Sequence, residues 1–294
     1  MSTAIQPNGW ASALPRKQYA ELKQIDINDK WFDVYEVFED IYALYEPGNF
    51  QEVISYLILG ANRALLFDTG MGIGDIKTAV EKLTKLPVTV LNSHSHFDHI
   101  GNNYKFEDGY ILDTAPSRYR MENGLAHPMV AEYVSDDSCV RDLPEGFEAD
   151  KYEIKPCPQW KYIQDGTVFD LGGKILTAYS TPGHSPDSIV LDYAEKKILF
   201  TGDTYYPATL YAHITYEDGM NSVFETYRST MRMLAQKYSD YTLLASHNEP
   251  KRDGTELVKV ADAFDLIAEG KAEYETDEAG LKKYTFDTFC IVTN

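Results

Sequence analysis

At 294 residues the chain is long enough for one large domain or two small ones, and its 44% hydrophobic content can fill a sizeable core. No run approaches the ~20 apolar residues that a membrane-spanning helix needs, which rules that class out. The formal charge of −19, with no local basic stripe to offset it, repels phosphate backbones and disfavours duplex DNA or RNA as a partner.

The first 25 residues lack an apolar stretch of the secretory type. Three cysteines (Cys139, Cys157 and Cys290) are an odd number at no recurrent spacing, so no disulfide framework is expected and a reducing cytoplasm is the default. In chain order, Asp33–Phe38, Ile41–Tyr45 and Val53–Leu59 are rich in β-branched and aromatic residues and read as strands. Asn62–Phe67 follows a hairpin-like turn at Leu59-Gly60-Ala61. Ile76, Val80 and Leu83 fall at i, i+4 and i+7, which predicts a helix ended by Pro87. Val88–Leu91 is a short strand buried on both faces.

Residues 110–167 carry five prolines and read as an irregular insert, with helix fragments near Ala115–Asn123 and Met129–Val134, forming a lid, an interface or a surface excursion. Strands resume at Lys174–Tyr179, Ser188–Tyr193 and Lys197–Phe200. Helices follow at Ser222–Lys237 and Glu256–Glu269, with the strand Tyr241–Ala245 between them and a closing strand at Tyr284–Val292. The order fits a single layered α/β or α+β domain over residues 1–294.

Three of the seven histidines fall in one segment, Ser93-His94-Ser95-His96-Phe97-Asp98-His99, just after the Val88–Leu91 strand. In extended chain, residues i and i+2 point the same way, so His94 and His96 can share a metal, and a turn beyond can aim Asp98 and His99 at a second. Three His and one Asp at these offsets arise by chance on the order of once in a few thousand such chains, so a plain polar loop is a weak explanation. His184 in Pro182-Gly183-His184, Asp203 in Gly202-Asp203 and His247 in Ser246-His247 each follow an apolar strand as well. No Gly-x-Ser-x-Gly elbow is present, which argues against a serine hydrolase of the α/β type.

These segments resemble the metallo-β-lactamase fold superfamily of metallohydrolases, whose His-x-His-x-Asp-His motif matches His94, His96, Asp98 and His99. The resemblance implies an α+β fold, a four-layer αβ/βα sandwich of two sheets with helices outside. It implies that His94, His96 and His184 hold one metal and that Asp98, His99 and His247 hold another, with Asp203 bridging. Asp68 would support the ligands from an early strand end. Two divalent ions are implied, zinc first, with iron, manganese or cobalt as alternatives, and a hydroxide between them as nucleophile. Asp98 or Asp203 would shuttle the proton.

Within the superfamily, Asp203 at the bridging position departs from typical β-lactamases. Thr204-Tyr205-Tyr206-Pro207-Ala208 departs from the Gly-Cys-Gly-Arg stretch of glyoxalase II. The negative charge disfavours a ribonuclease Z-like role, and the full ligand set differs from that of persulfide dioxygenases. The segment from His94 to Asn102, with Tyr206 three residues past Asp203, resembles acyl-homoserine lactonases. Tyr206 would then hydrogen-bond the substrate carbonyl or leaving oxygen. The expected function is therefore a dinuclear hydrolase of an ester-type bond, a lactone first. A thioester, phosphotriester or aryl ester is the alternative, and a mononuclear iron dioxygenase a further one. A small-molecule substrate is the expected partner, with a homodimer left open. Phe50, Tyr205, Tyr211 and Trp160 are candidate pocket walls, and His213 a candidate substrate contact.

Overall fold

A computed structural model describes residues 9–294. Part of the N-terminal stretch read above for an apolar leader, residues 1–8, lies outside the described residues. An eight-stranded sheet runs in chain order through β1 (Lys23–Ile25), β2 (Asp33–Phe38), β3 (Ile41–Tyr45), β4 (Ile54–Leu59), β5 (Ala64–Phe67), β6 (Val88–Leu91), β7 (Gly109–Leu112) and β8 (Lys161–Ile163). Neighbours are antiparallel up to β5 and parallel from β5 to β8. Helix α1 (Ile76–Leu83) crosses from β5 to β6; its N-terminus is capped by Asp75, whose side chain accepts from the Thr78 amide.

The chain next gives α2 (Phe97–Ile100), α3 (Ala115–Asn123) and α4 (His127–Val130). It then builds a second sheet from β9 (Thr167–Asp170), β10 (Ile175–Ser180), β11 (Ile189–Tyr193) and β12 (Ile198–Gly202). β13 (Thr209–Tyr211) leaves this sheet, and after α5 (Phe224–Tyr238) the sheet is completed by β14 (Thr242–Ala245), parallel to β12, and β15 (Lys251–Asp253). Helix α6 (Thr255–Ala268) follows.

Side-chain alternation explains the layering. On β4, Ile54, Tyr56 and Ile58 face the second sheet while Leu57 faces the opposite way, so the strand is buried on both sides. Between the sheets, Tyr56, Phe67 and Leu91 meet Leu176, Leu191 and Phe200; the Tyr56 and Phe200 rings stand edge to face at 5.3 Å. Ile76, Ala79 and Val80 of α1 cover the outer face of the first sheet. Tyr227 and Met231 of α5, with Val260 and Phe264 of α6, cover Val190 and Leu199 on the second. The order helix, sheet, sheet, helix is the four-layer α+β sandwich expected from the sequence. No helix among the described residues is long and apolar enough to cross a membrane.

Several expectations need correction. The insert read as 110–167 contains most of β7 and all of β8, which pair with each other in parallel in the first sheet, and it ends on the first residue of β9 in the second, so the irregular part lies between β7 and β8. Strands this short, separated by nearly fifty residues, leave no local hairpin signal. The helix fragment near Met129–Val134 is α4 followed by a 3₁₀ turn at Ala131–Val134. The single closing strand at Tyr284–Val292 is a hairpin of β17 (Lys282–Thr285) and β18 (Cys290–Thr293), which pairs with β13 on one side and β16 (Glu275–Thr276) on the other. Tyr205 and Trp160 are core residues rather than pocket walls. Trp160 donates from its indole to the Phe106 carbonyl at 3.3 Å.

Candidate metal centre and active site

The two sheets are laced together at one end by backbone bonds that also set the site. The Ile54 amide donates to Ser246 at 2.8 Å, beside His247, and the Ile189 amide donates to Ser93 at 2.8 Å, beside His94. His94 and His96 leave β6 in an extended loop, and the single turn of α2 turns Asp98 and His99 toward them. His184 follows Gly183, where φ is +149° and an added Cβ would meet the Tyr227 Cα at 2.4 Å, which leaves no space for a side chain. Asp203 follows a register shift in β12 at Gly202, where φ is +50° and an added Cβ would meet Ser93 at 2.6 Å.

All seven predicted ligands converge, each at least 94% buried. Ligand atoms of three groups lie within 4.8 Å of one another: His94, His96 and His184; His94, His99 and Asp203; Asp98, His99 and His247. Nδ1 of His96 and Nε2 of His184 are 2.9 Å apart. Asp203 sits between the groups. Its Oδ1 is 3.0 Å from His247 Nε2 and 3.3 Å from His99 Nε2; its Oδ2 is 3.5 Å from His184 Nε2 and 3.9 Å from His94 Nε2. Asp98 Oδ2 lies 3.6 Å from both His99 Nε2 and His247 Nε2.

The hydrogen bonds behind the ligands fix their tautomers. Asp68 accepts the Ser93 amide at 2.6 Å, the Ser93 hydroxyl at 2.8 Å and His99 Nδ1–H at 2.9 Å. Because the Ser93 proton goes to Asp68, the same hydroxyl accepts His94 Nδ1–H at 2.9 Å. His247 donates Nδ1–H to the Gln51 carbonyl at 2.6 Å. Three imidazoles are thereby pinned with Nδ1 turned outward and Nε2 turned inward, the orientation that offers Nε2 to a divalent cation. Asp68 holds a left-handed φ of +69°, a conformation uncommon for a residue with a side chain and held here by these three bonds.

Burial, and then neighbouring imidazoles, hold His94 and His96 well below the ordinary histidine range, and burial pushes His184 down to about 4, so all three are neutral, the form a metal ion would take. Burial lowers His99, but Asp203, Asp98 and Asp68 outweigh it and hold it well above. Burial would raise Asp203, yet His247 and His99 keep it well below, ionised. His94 Nε2, His99 Nε2 and Asp203 Oδ1 are buried without a hydrogen-bond partner among the described residues. Inward-facing imidazole nitrogens and a carboxylate oxygen without hydrogen bonds are the donor set that fits divalent metal ions.

Above the ligands lies a cavity of about 290 Å³. Phe50, Tyr211 and His213 line it as expected, joined by Tyr133 from the insert and by Trp10 and Arg16 from the N-terminal segment, neither of which carried a sequence signal. Tyr206 also lines it, its ring 4.8 Å from that of His247, but its hydroxyl donates to the Thr209 carbonyl at 2.5 Å.

Residues 49–247, which contain all seven candidate ligands, match the sequence profile of the metallo-beta-lactamase superfamily. The chain belongs to that superfamily. The acyl-coenzyme A thioesterase MBLAC2 of Homo sapiens is 29% identical over 184 residues, 58% of this chain and 64% of that protein. Its counterpart from Gallus gallus is also 29% identical, over 59% of this chain and 64% of its own length. The chain thus spans less than two thirds of these relatives. A metallo-beta-lactamase family protein of Thermus thermophilus shares the fold at a TM-score of 0.58 and 20% identity, over 80% of this chain and 82% of that one. A metallo-beta-lactamase from Pontibacter korlensis does so at 0.53 and 18%, over 80% and 99%.

Sequence reasoning passed over Glu46. Fully enclosed, it accepts the Trp31 indole N–H at 2.5 Å and the Met71 amide at 2.9 Å, bracing the turn after Asp68. Burial pushes it up to about 7 from an ordinary 4.5, the two donors opposing. A carboxyl raised in the folded chain contributes stability that is present below about 4.5 and lost as pH rises through about 7, here about 3 kcal/mol. Glu46→Gln removes that titration but sets an amide N–H against one donor. Its stability deficit relative to the parent, measured by urea unfolding, is therefore expected to be larger at pH 5 than at pH 8; an equal deficit at both would show that Glu46 does not titrate between them.

Proposed function

We propose that the protein is a metal-dependent hydrolase that cleaves an acyl thioester. The observation that carries the reading is the convergence of seven His and Asp side chains at the floor of an aromatic-walled cavity, in a chain with acyl-coenzyme A thioesterases among its relatives. The lactone reading rests on the short segment from His94 to Asn102 and on Tyr206, and the thioester alternative now takes precedence over it.

Two groups of residues would hold divalent ions: His94, His96 and His184, and Asp98, His99 and His247, with Asp203 contacting both. Ions bound there supply Lewis acidity toward an acyl carbonyl and lower the pKa of water from ~15.7 toward ~7. The two carboxylates divide the remaining work. Asp203, held low by His247 and His99, stays ionised as the shared anion of both groups. Asp98, raised by burial against the pull of His99 and His247, is the better proton acceptor and takes the proton of the attacking water at its carboxylate. Phe50, Tyr133 and Ile214 shield the acyl chain from water. A leaving thiolate, whose conjugate acid has a pKa near ~8.5, departs without a strong acid, whereas an alkoxide needs one. That suits a site in which the Tyr206 proton is already given to Thr209.

The test is a matched panel on the metal-loaded protein: hexanoyl-coenzyme A, hexanoyl-N-acetylcysteamine, N-hexanoyl homoserine lactone, p-nitrophenyl hexanoate and an aryl phosphotriester. At least one thioester is expected to exceed the lactone in kcat/KM by about tenfold or more, some 1.4 kcal/mol of transition-state preference, with no oxygen uptake. A lactone that outruns both thioesters overturns the substrate assignment. Oxygen consumption coupled to turnover overturns the hydrolase.

A further inference from the structure

Asp187 takes no part in the ligand set, yet it is fully buried between the two loops that carry three of the ligands. Its Oδ2 accepts the Ser95 hydroxyl at 2.6 Å, and its Oδ1 accepts the Ser185 hydroxyl at 2.7 Å. Ser95 lies between His94 and His96 in the chain, and Ser185 follows His184. One carboxylate therefore ties together the loops that present His94, His96 and His184. From the other side, Arg120 of α3, itself 2% exposed, donates from Nη1 to the Ser95 carbonyl at 2.7 Å. The Arg120 Nε donates to Asp218 Oδ2 at 2.6 Å, and its guanidinium lies 4.8 Å from the centre of the Tyr216 ring, which is 5.6 Å from that of His96. Ser95 is thus held by its hydroxyl and its carbonyl at once, between two buried charges.

We propose that Asp187 and Arg120 form a clamp on Ser95 that fixes the spacing of His94 and His96 from His184, making Asp187 a positioning residue selective for that one metal group. The Asp98, His99 and His247 group is outside its reach, since its outer bonds run to Asp68 and Gln51 instead. Arg120 gives the insert a defined part: α3 braces the histidine loop and, through Asp218 and Tyr216, the adjoining cavity wall. The inference rests on the metal-site reading and not on the choice of thioester.

Zinc affinity tests it without any turnover. Two backgrounds separate the groups: His247→Ala leaves His94, His96 and His184, and His184→Ala leaves Asp98, His99 and His247. By competition with a chromophoric chelator, Asp187→Ala is expected to weaken zinc about 10–100-fold in the first background and less than about threefold in the second. Asp187→Asn can accept one hydroxyl and donate to the other, so it is expected to recover most of the affinity. Equal weakening in both backgrounds, with a matching fall in the melting temperature of the zinc-free chain, would make Asp187 a general fold residue and overturn the proposal. So would unchanged affinity in the first background. Failure of every thioester in the panel leaves the clamp standing, which separates the two ideas.

Discussion

Asp203→Ala is expected to lower kcat/KM by about 10³-fold and to reduce the metal bound per chain. The size follows from position: among the described residues this carboxylate is the one with oxygens within 4 Å of four of the candidate ligand imidazoles, those of His94, His99, His184 and His247. Removing it withdraws a buried anion from both groups, a loss of several kcal/mol of electrostatic stabilisation, and about 4 kcal/mol is close to 10³ in rate. Asp203→Asn separates charge from shape. It fills the same space beside Gly202 and keeps an oxygen, but cannot offset the imidazoles. Its turnover and its bound metal are expected to fall nearly as far as those of the alanine variant. Elemental analysis and steady-state rates on the same preparations check both. Parent-like turnover in Asp203→Asn would remove the shared anion from the account.

The site was legible because its residues crowd into short, chemically unusual stretches. His94, His96, Asp98 and His99 occupy six consecutive positions, and His184, Asp203 and His247 each sit close behind an apolar strand. Strands with clear β-branched content, such as β3 and β11, were equally readable, and so was α1 from the spacing of its buried face. What escaped the sequence depends on distant partners. Glu46 looks like any acid beside a proline; only the Trp31 indole and the Met71 amide, brought from elsewhere, make it a buried brace. Asp187 reads as a turn residue between two serines until Ser95 arrives from another loop. β7 and β8 are three or four residues each and pair across a long excursion, so periodicity had nothing to act on. Tyr205 and Trp160 share the composition of pocket walls, and topology alone turns them inward.

Zinc should raise the melting temperature of the metal-free protein by roughly 10 °C or more. Without a cation, His94 and His96 are held neutral in a buried pocket, and Nδ1 of His96 faces Nε2 of His184 at 2.9 Å, where at most one proton can be shared. His94 Nε2 stays without a hydrogen bond among the described residues, at a desolvation cost of about 1–3 kcal/mol. A ligand that binds only the folded chain stabilises it by about 4 kcal/mol at a thousand times its Kd, and each kcal/mol moves the midpoint of a chain of this size by about 2–4 °C. Calcium offers a control, because it prefers a shell of six to eight oxygens and this site presents five imidazoles and two carboxylates. Scanning calorimetry of chelator-treated protein, with zinc or calcium added back, is the measurement. A midpoint unmoved by zinc would mean that the seven side chains meet for packing and charge balance alone. An equal rise with calcium would mean that acidic surface groups, abundant in a chain of net charge −19, account for the effect. A rise with zinc alone that is lost in His94→Ala and in His247→Ala would place the ion among the ligands themselves.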